Sequence, residues 1–142
     1  MVRQALCGDS RAMPDSSFPS AKVFLADDSA LIRKRVAALL SAGSMDIVGQ
    51  AETPQGAIDG ILASRPDVVV LDIQLEGGTG LQVLRAVHQV LPEMAFVVFS
   101  NNSGPAYRKR YLAEGACAFL DKNAEFDQLV QAVLSAAHCP KH

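Results

Sequence analysis

The sequence predicts an α/β domain: a doubly wound, five-stranded parallel sheet flanked by five helices. Three observations carry this. From Ala21 onward, short apolar runs alternate strictly with helical patterns. The central runs are continuously apolar, as strands covered on both faces must be. Capping residues and glycines fall where helices would begin and end.

Taken in order, KVFLA (Lys22–Ala26) is the first strand. Ile32, Val36, Leu39 and Leu40 then share one helical face, and Gly43 closes that helix. DIVGQA (Asp46–Ala51) is the second strand. Thr53 is a cap and Pro54 a first helical residue, leading to Ile58, Ile61 and Leu62. DVVVLD (Asp67–Asp72) is the third strand, followed by a helical stripe of Leu81, Leu84, Val87 and Leu91. AFVVFS (Ala95–Ser100) is the fourth strand. Pro105 opens the fourth helix, which carries Tyr107, Tyr111 and Leu112 and stops near Gly115. CAFLD (Cys117–Asp121) is the fifth strand. Asn123 caps the last helix, where Phe126, Leu129, Val130, Val133 and Leu134 give the most regular period in the chain.

The chain has 142 residues, one domain's worth, and 49% of them are apolar, enough for a core without disulfides or metal. A net charge of -2 argues against a general nucleic-acid or anionic-membrane binder. The cysteines, Cys7, Cys117 and Cys139, lack metal-type spacing and fit reduced thiols in a cytoplasmic protein. No apolar run approaches the roughly 18 residues that suggest a membrane span, and the N-terminus lacks the apolar core of a secretory signal. Residues 1–20, rich in Ser, Pro, Asp and Arg, are expected to be a mostly disordered leader. The domain is expected to run from 21 to 139, with a tail at 140–142.

Ligands of such sheets bind beyond the carboxyl ends of the strands. The polar residues there are Asp27 and Asp28 after the first strand, Asp72 after the third, Ser100 at the fourth, and Asp121 and Lys122 at the fifth. Each alone reads as a turn residue, a cap or a solvated charge. Together they form a chemical set. Clustered carboxylates repel unless a cation intervenes, and a hard divalent ion such as Mg²⁺ suits oxygen ligands. Lysine and a hydroxyl complete a constellation fit for phosphoryl transfer, with one aspartate able to become an aspartyl phosphate.

The stretches LADDS, VVVLDI, VVFSN and AFLDK, at these spacings, resemble the receiver domain of bacterial two-component response regulators. The likeness runs from about Ala21 to His138. It implies a flavodoxin-like receiver fold with strand order 2-1-3-4-5. It also implies roles. Asp72 would be the phosphoacceptor, served by a histidine kinase or phosphotransfer protein. Asp27, Asp28, Asp72 and the backbone carbonyl of Gln74 would hold Mg²⁺. Ser100 and Lys122 would engage the phosphoryl oxygens, and Phe119 would be the switch aromatic, turning inward as Ser100 moves. The surface of the fourth helix, fifth strand and fifth helix would respond.

Departures from the family pattern also stand out. Glu76, Gly77 and Gly78 occupy the loop where the family often has proline, which predicts a more flexible loop with an added charge. Asn101 and Asn102 follow Ser100 where a small residue is common, narrowing access to the acceptor. Two rival readings stand beside it: a flavin-binding module of flavodoxin type, and a receiver-like interaction domain that no longer responds to phosphorylation. A dehalogenase-type phosphatase would need Asp-x-Asp after the first strand, and no Gly-x-x-x-x-Gly-Lys loop is present. Arg108, Lys109 and Arg110 are too few for DNA binding. Expected partners are the phosphodonor protein, a downstream protein and, through spare apolar surface on helices, a second copy of the chain. Stand-alone receiver and excised input domain both remain open.

Overall fold

The computed structural model describes residues 20–102 and 104–137. The expected leader and tail therefore lie outside the described residues, apart from Ser20.

The five main strands are β1 (Lys22–Ala26), β2 (Asp46–Ala51), β3 (Val68–Leu71), β6 (Ala95–Ser100) and β7 (Ala118–Asp121). Two short strands, β4 (Gln74–Leu75) and β5 (Gly78–Thr79), fall between β3 and the third helix. The helices are α1 (Ala30–Ala42), α2 (Pro54–Ser64), α3 (Gly80–Val90), α4 (Pro105–Ala113) and α5 (Leu129–Ala137). The large sheet is all parallel in the order β2-β1-β3-β6-β7, which is the expected 2-1-3-4-5 once the short pair is set aside.

The continuously apolar strands are buried on both faces because alternate side chains point to opposite layers. Val23, Leu25, Val68, Val70, Val97, Phe99 and Leu120 pack with α1 and α5. Phe24, Val69, Leu71, Phe96, Val98 and Phe119 pack with α2, α3 and α4. The edge strand β2 is only half buried along its length. Phe24 explains two glycines at once. Its ring lies so close to Gly49 in β2 and Gly60 in α2 that an added Cβ would come within 2.7 and 2.6 Å of it. Gly60 thus gives up helix propensity, about 1 kcal/mol, so that an aromatic ring can sit between strand and helix.

Side-chain caps start three helices, one of them at Thr53 as expected. Ser29 Oγ accepts from the Ile32 N–H at 3.2 Å and Thr53 Oγ1 from the Gly56 N–H at 3.0 Å. Thr79 and Gln82 form a capping box at α3. Pro105 opens α4 behind Gly104, which offers no side-chain cap.

Local details differ from or add to expectation. Glu76 and Gly77 form the turn of an antiparallel hairpin, with Leu75 opposite Gly78, Gln74 opposite Thr79 and Gly77 at φ +85°. Gly43 closes α1 as expected, and the left-handed residue is the next one, Ser44, at φ 66°. Asn123 does not cap the last helix. The Asp121 carboxylate accepts from the Asn123 and Ala124 N–H groups, and a 3-10 turn, Phe126–Gln128, precedes α5. Tyr107 and Leu112 do not join Tyr111 in the core; they are 51% and 41% exposed.

Candidate functional site

Asp27, Asp28, Asp72, Ser100 and Lys122 lie at the carboxyl edge of the large sheet, whereas Phe119 lies within β7 and Gln74 in the short hairpin. The edge is held by main-chain bonds that continue past the ends of the strands. Asp27 N–H donates to Ala51 O at 3.1 Å and Asp72 N–H to Ala26 O at 2.9 Å. Lys122 N–H donates to Ser100 O at 3.0 Å. The backbone at these residues is thus fixed before any side chain acts.

Asp27, Asp72, Ser100 and Lys122 are the buried polar residues among those described, and Asp28 stays exposed. Carboxylate oxygens of Asp27, Asp28 and Asp72 all lie within 4.8 Å of one another. Lys122 Nζ bridges two of them, at 2.6 Å from Asp27 Oδ2 and 3.1 Å from Asp72 Oδ2. Local main-chain donors fix the other oxygens. The Ser29 N–H reaches Asp27 Oδ1 at 2.9 Å, and the Ile73 N–H reaches Asp72 Oδ1 at 2.7 Å. Asp28, Asp72, Gln74, Ser100, Asn102 and Lys122 line a small cavity of about 180 Å³.

Charge in this pocket is unbalanced. Burial raises the Asp27 carboxyl above its ordinary value, and the nearby Asp72 adds to that, against the opposing pull of Lys122 and the Ser29 N–H. Burial would lower the Lys122 ammonium, but its hydrogen bonds and charge contacts with Asp27 and Asp72 outweigh it, so lysine is held above its usual range. One ammonium faces three carboxylates, an excess of two negative charges. A divalent cation with oxygen ligands matches that deficit, and Mg²⁺ characteristically takes one or two carboxylates, waters and a phosphate. The donor set therefore fits the ion.

Ser100 is 1% exposed, and its Oγ accepts from the Asn102 N–H at 3.1 Å, leaving its own proton to donate. Asn101 and Asn102 line the cavity mouth, as their place after Ser100 implied. Phe119 lies inward, 2% exposed, with its ring edge-on to Tyr111. Gln74 is exposed, in the short hairpin, and lines the same cavity.

Sequence reading missed the supports. Arg33, on the first turn of α1, donates to Asp27 O at 2.5 Å and to Gln50 Oε1 at 3.2 Å, steadying the Asp27–Asp28 turn. Its spacing, one turn past the Ser29 cap, was the available signal. Arg108 and Glu125 brace the turn that carries Lys122.

Comparison with known proteins agrees with this geometry. The response regulator receiver domain family matches residues 23–134. The probable transcriptional regulatory protein NarL of Mycobacterium tuberculosis H37Rv is 35% identical over 117 residues, 82% of this chain and 54% of that protein. The DNA-binding transcriptional activator DevR/DosR of the same strain is 30% identical over 113 residues, 79% of this chain and 52% of that protein. This chain thus spans about half the length of these curated relatives. The solved signal receiver domain of the putative response regulator NarL from M. tuberculosis superposes with a TM-score of 0.79 at 34% identity, covering 85% of this chain and 98% of that one. Among the described residues no helix is long and apolar enough to cross a membrane. The chain belongs to the response regulator receiver domains of two-component signalling.

Proposed function

We propose that this receiver is phosphorylatable, with Asp72 as the acceptor. What supports the reading most is one juxtaposition: three carboxylates within 4.8 Å of one another, two of them bonded to Lys122 Nζ. An Asp72 carboxylate oxygen attacks the phosphorus of a phosphohistidine on a kinase or phosphotransfer protein. The O–P bond forms as the P–N bond breaks, and the departing imidazole takes up a proton. Lys122 balances charge on the phosphoryl oxygens, and the Ser100 hydroxyl donates to another. Asp27, Asp28, Asp72 and the Gln74 carbonyl would hold Mg²⁺, which would supply further charge neutralisation.

The phosphoryl group brings about -1.5 to -2 charges into a site built around one lysine. Lys122 already stands 3.1 Å from Asp72 Oδ2; Ser100 reaches the phosphoryl group by moving toward Asp72, and Phe119 and the α4–β7–α5 surface follow. In this reading the chain is a signalling switch that catalyses only its own phosphorylation and dephosphorylation. Its partners are the phosphodonor, a downstream protein and a second copy of itself, met in the cytoplasm. Its working unit is residues 21–139, and DNA contact, if the output needs it, comes from elsewhere than this surface.

The test is labelling by acetyl phosphate with Mg²⁺, followed by mass spectrometry to locate the modified residue. Label on Asp72, lost entirely in Asp72→Asn, is the expected result. Label persisting in that variant would move the acceptor elsewhere.

A further inference from the structure

Arg108 is the described residue of α4 with the most bonds across to the Lys122 side of the molecule. Its Nη1 donates to Phe119 O at 2.8 Å. Its Nη2 meets Glu125 Oε1 at 3.3 Å. Its guanidinium lies over the Phe119 ring, 5.2 Å from the centroid. The same Glu125 oxygen accepts from the Asp121 N–H at 2.9 Å, and Glu125 N–H donates back to Asp121 O at 2.8 Å. Lys122 is the next residue, so the turn presenting its amine to Asp72 is closed by a glutamate that Arg108 holds.

The rest of α4 makes this connection consequential. The helix has no side-chain cap, and Tyr111 is its buried residue. On its other flank a cavity of about 400 Å³, lined by Ile73, Leu81, Tyr107 and Tyr111 among others, separates it from the hairpin and α3. On that side α4 is held through the buried Tyr111 and, at its C-terminal end, by the exposed pair Arg85–Glu114 at 2.7 Å. On the β7 side a displacement of α4 must break the Arg108 contacts. A planar guanidinium suits the task, since it can bond a carbonyl and a carboxylate while lying on a ring.

We propose that Arg108 is a positioning residue: it ties the placement of α4 to the turn that aims Lys122 at Asp72, so that helix position and phosphoryl acceptance depend on each other. This rests on Asp72 being the acceptor. Whatever moves α4, a bound partner included, would then alter the reactivity of Asp72, and phosphorylation would alter α4 in return.

The experiment compares acetyl phosphate labelling of the full chain with Arg108→Ala, Glu125→Gln, the double variant and Arg108→Lys. Thermal denaturation is recorded alongside. Each single truncation should slow labelling at saturating donor about fivefold, a usual size for coupling between contacting charged residues. The donor and Mg²⁺ concentrations for half-saturation should not move. The double variant should be no slower than either single one, and Arg108→Lys should recover part of the rate through its charge. Folded variants that label at the parent rate overturn the inference alone, as do losses that multiply in the double variant. A parent chain that takes no label overturns the acceptor reading and this inference with it.

Discussion

The carboxyl edge of β1 and β3 carries Asp72, and the helix α4 shares a cavity with Ile73, the next residue, yet the two are built oppositely. At the edge, Asp27 and Asp72 are buried, their main-chain groups continue the sheet ladder, and their carboxylate oxygens are held by named donors. α4 buries Tyr111, exposes Tyr107 and Leu112, and borders a cavity of about 400 Å³. The edge is over-determined and α4 is under-determined. Chemistry that depends on sub-ångström placement belongs on the first, and a surface that must change state belongs on the second. A receiver needs both, and the fold provides them by letting one end of the sheet meet a poorly anchored helix.

The sharpest way to break the rigid region is Lys122→Ala. It leaves two carboxylates buried side by side without their ammonium, and removing one partner of a buried charge set costs about 3 kcal/mol or more. Urea denaturation should show that loss, and millimolar Mg²⁺ should restore much of it, because the ion binds only the folded cluster. The same Mg²⁺ should raise the melting temperature of the parent chain by less, since lysine already answers part of the charge. A variant as stable as the parent without the ion would show that the pocket is not the electrostatic knot its distances suggest.

A second test loosens α4 through its buried tyrosine. Burial pushes the Tyr111 hydroxyl up from 10.0 to about 12. A group whose proton is held more tightly in the folded state contributes stability that is whole below about 10 and is lost as pH rises through 12. Between those values the α4 amides should lose hydrogen-exchange protection before those of β3 and β6. Tyr111→Phe should abolish the late phase of tyrosinate absorbance. Protection lost at the same pH throughout the sheet would mean that α4 is not a separate unit.

The same contrast accounts for how much was legible in the sequence. Burial leaves a written trace, so VVVL and AFVVF announced strands covered on both faces, and Asp72 stood out because a carboxylate closes an apolar run. Asp27, Ser100 and Lys122 were found as its counterparts on neighbouring strand ends. The supports were only faintly legible, because each has among its partners a main-chain atom that carries no residue identity. Arg33 bonds the carbonyl of Asp27, and Arg108 that of Phe119. Asn123 looked like a cap because its type is right, but the turn is closed by the Asp121 side chain two residues earlier. The hairpin at Gly77 was hidden because two glycines read as a flexible loop, whereas φ +85° at Gly77 is what a tight turn demands. The stripe on α4 misled for the reason that makes the helix interesting: Tyr107 and Leu112 have apolar types and no core to enter.

That last point yields the smallest expected effect. If Leu112 packed as its type suggests, removing it would cost 2 kcal/mol or more, by the order seen for core leucines, about 2–5 kcal/mol. At 41% exposure it has little to lose, so Leu112→Ser should change unfolding free energy by no more than about 0.5 kcal/mol. Its labelling by acetyl phosphate should also be unchanged, because Leu112 touches neither the cavity beside Asp72 nor the Arg108 contacts. An exposed leucine kept on a half-anchored helix is then spare apolar surface, available for a partner protein or a second copy to cover. Sedimentation of parent and Leu112→Ser chains, each with and without phosphodonor, separates the two. Self-association lost in the variant assigns the surface to a second copy, whereas identical behaviour reserves it for a different protein. A large loss of stability in Leu112→Ser would show instead that α4 is anchored through this residue, and the contrast with the carboxylate edge would fail.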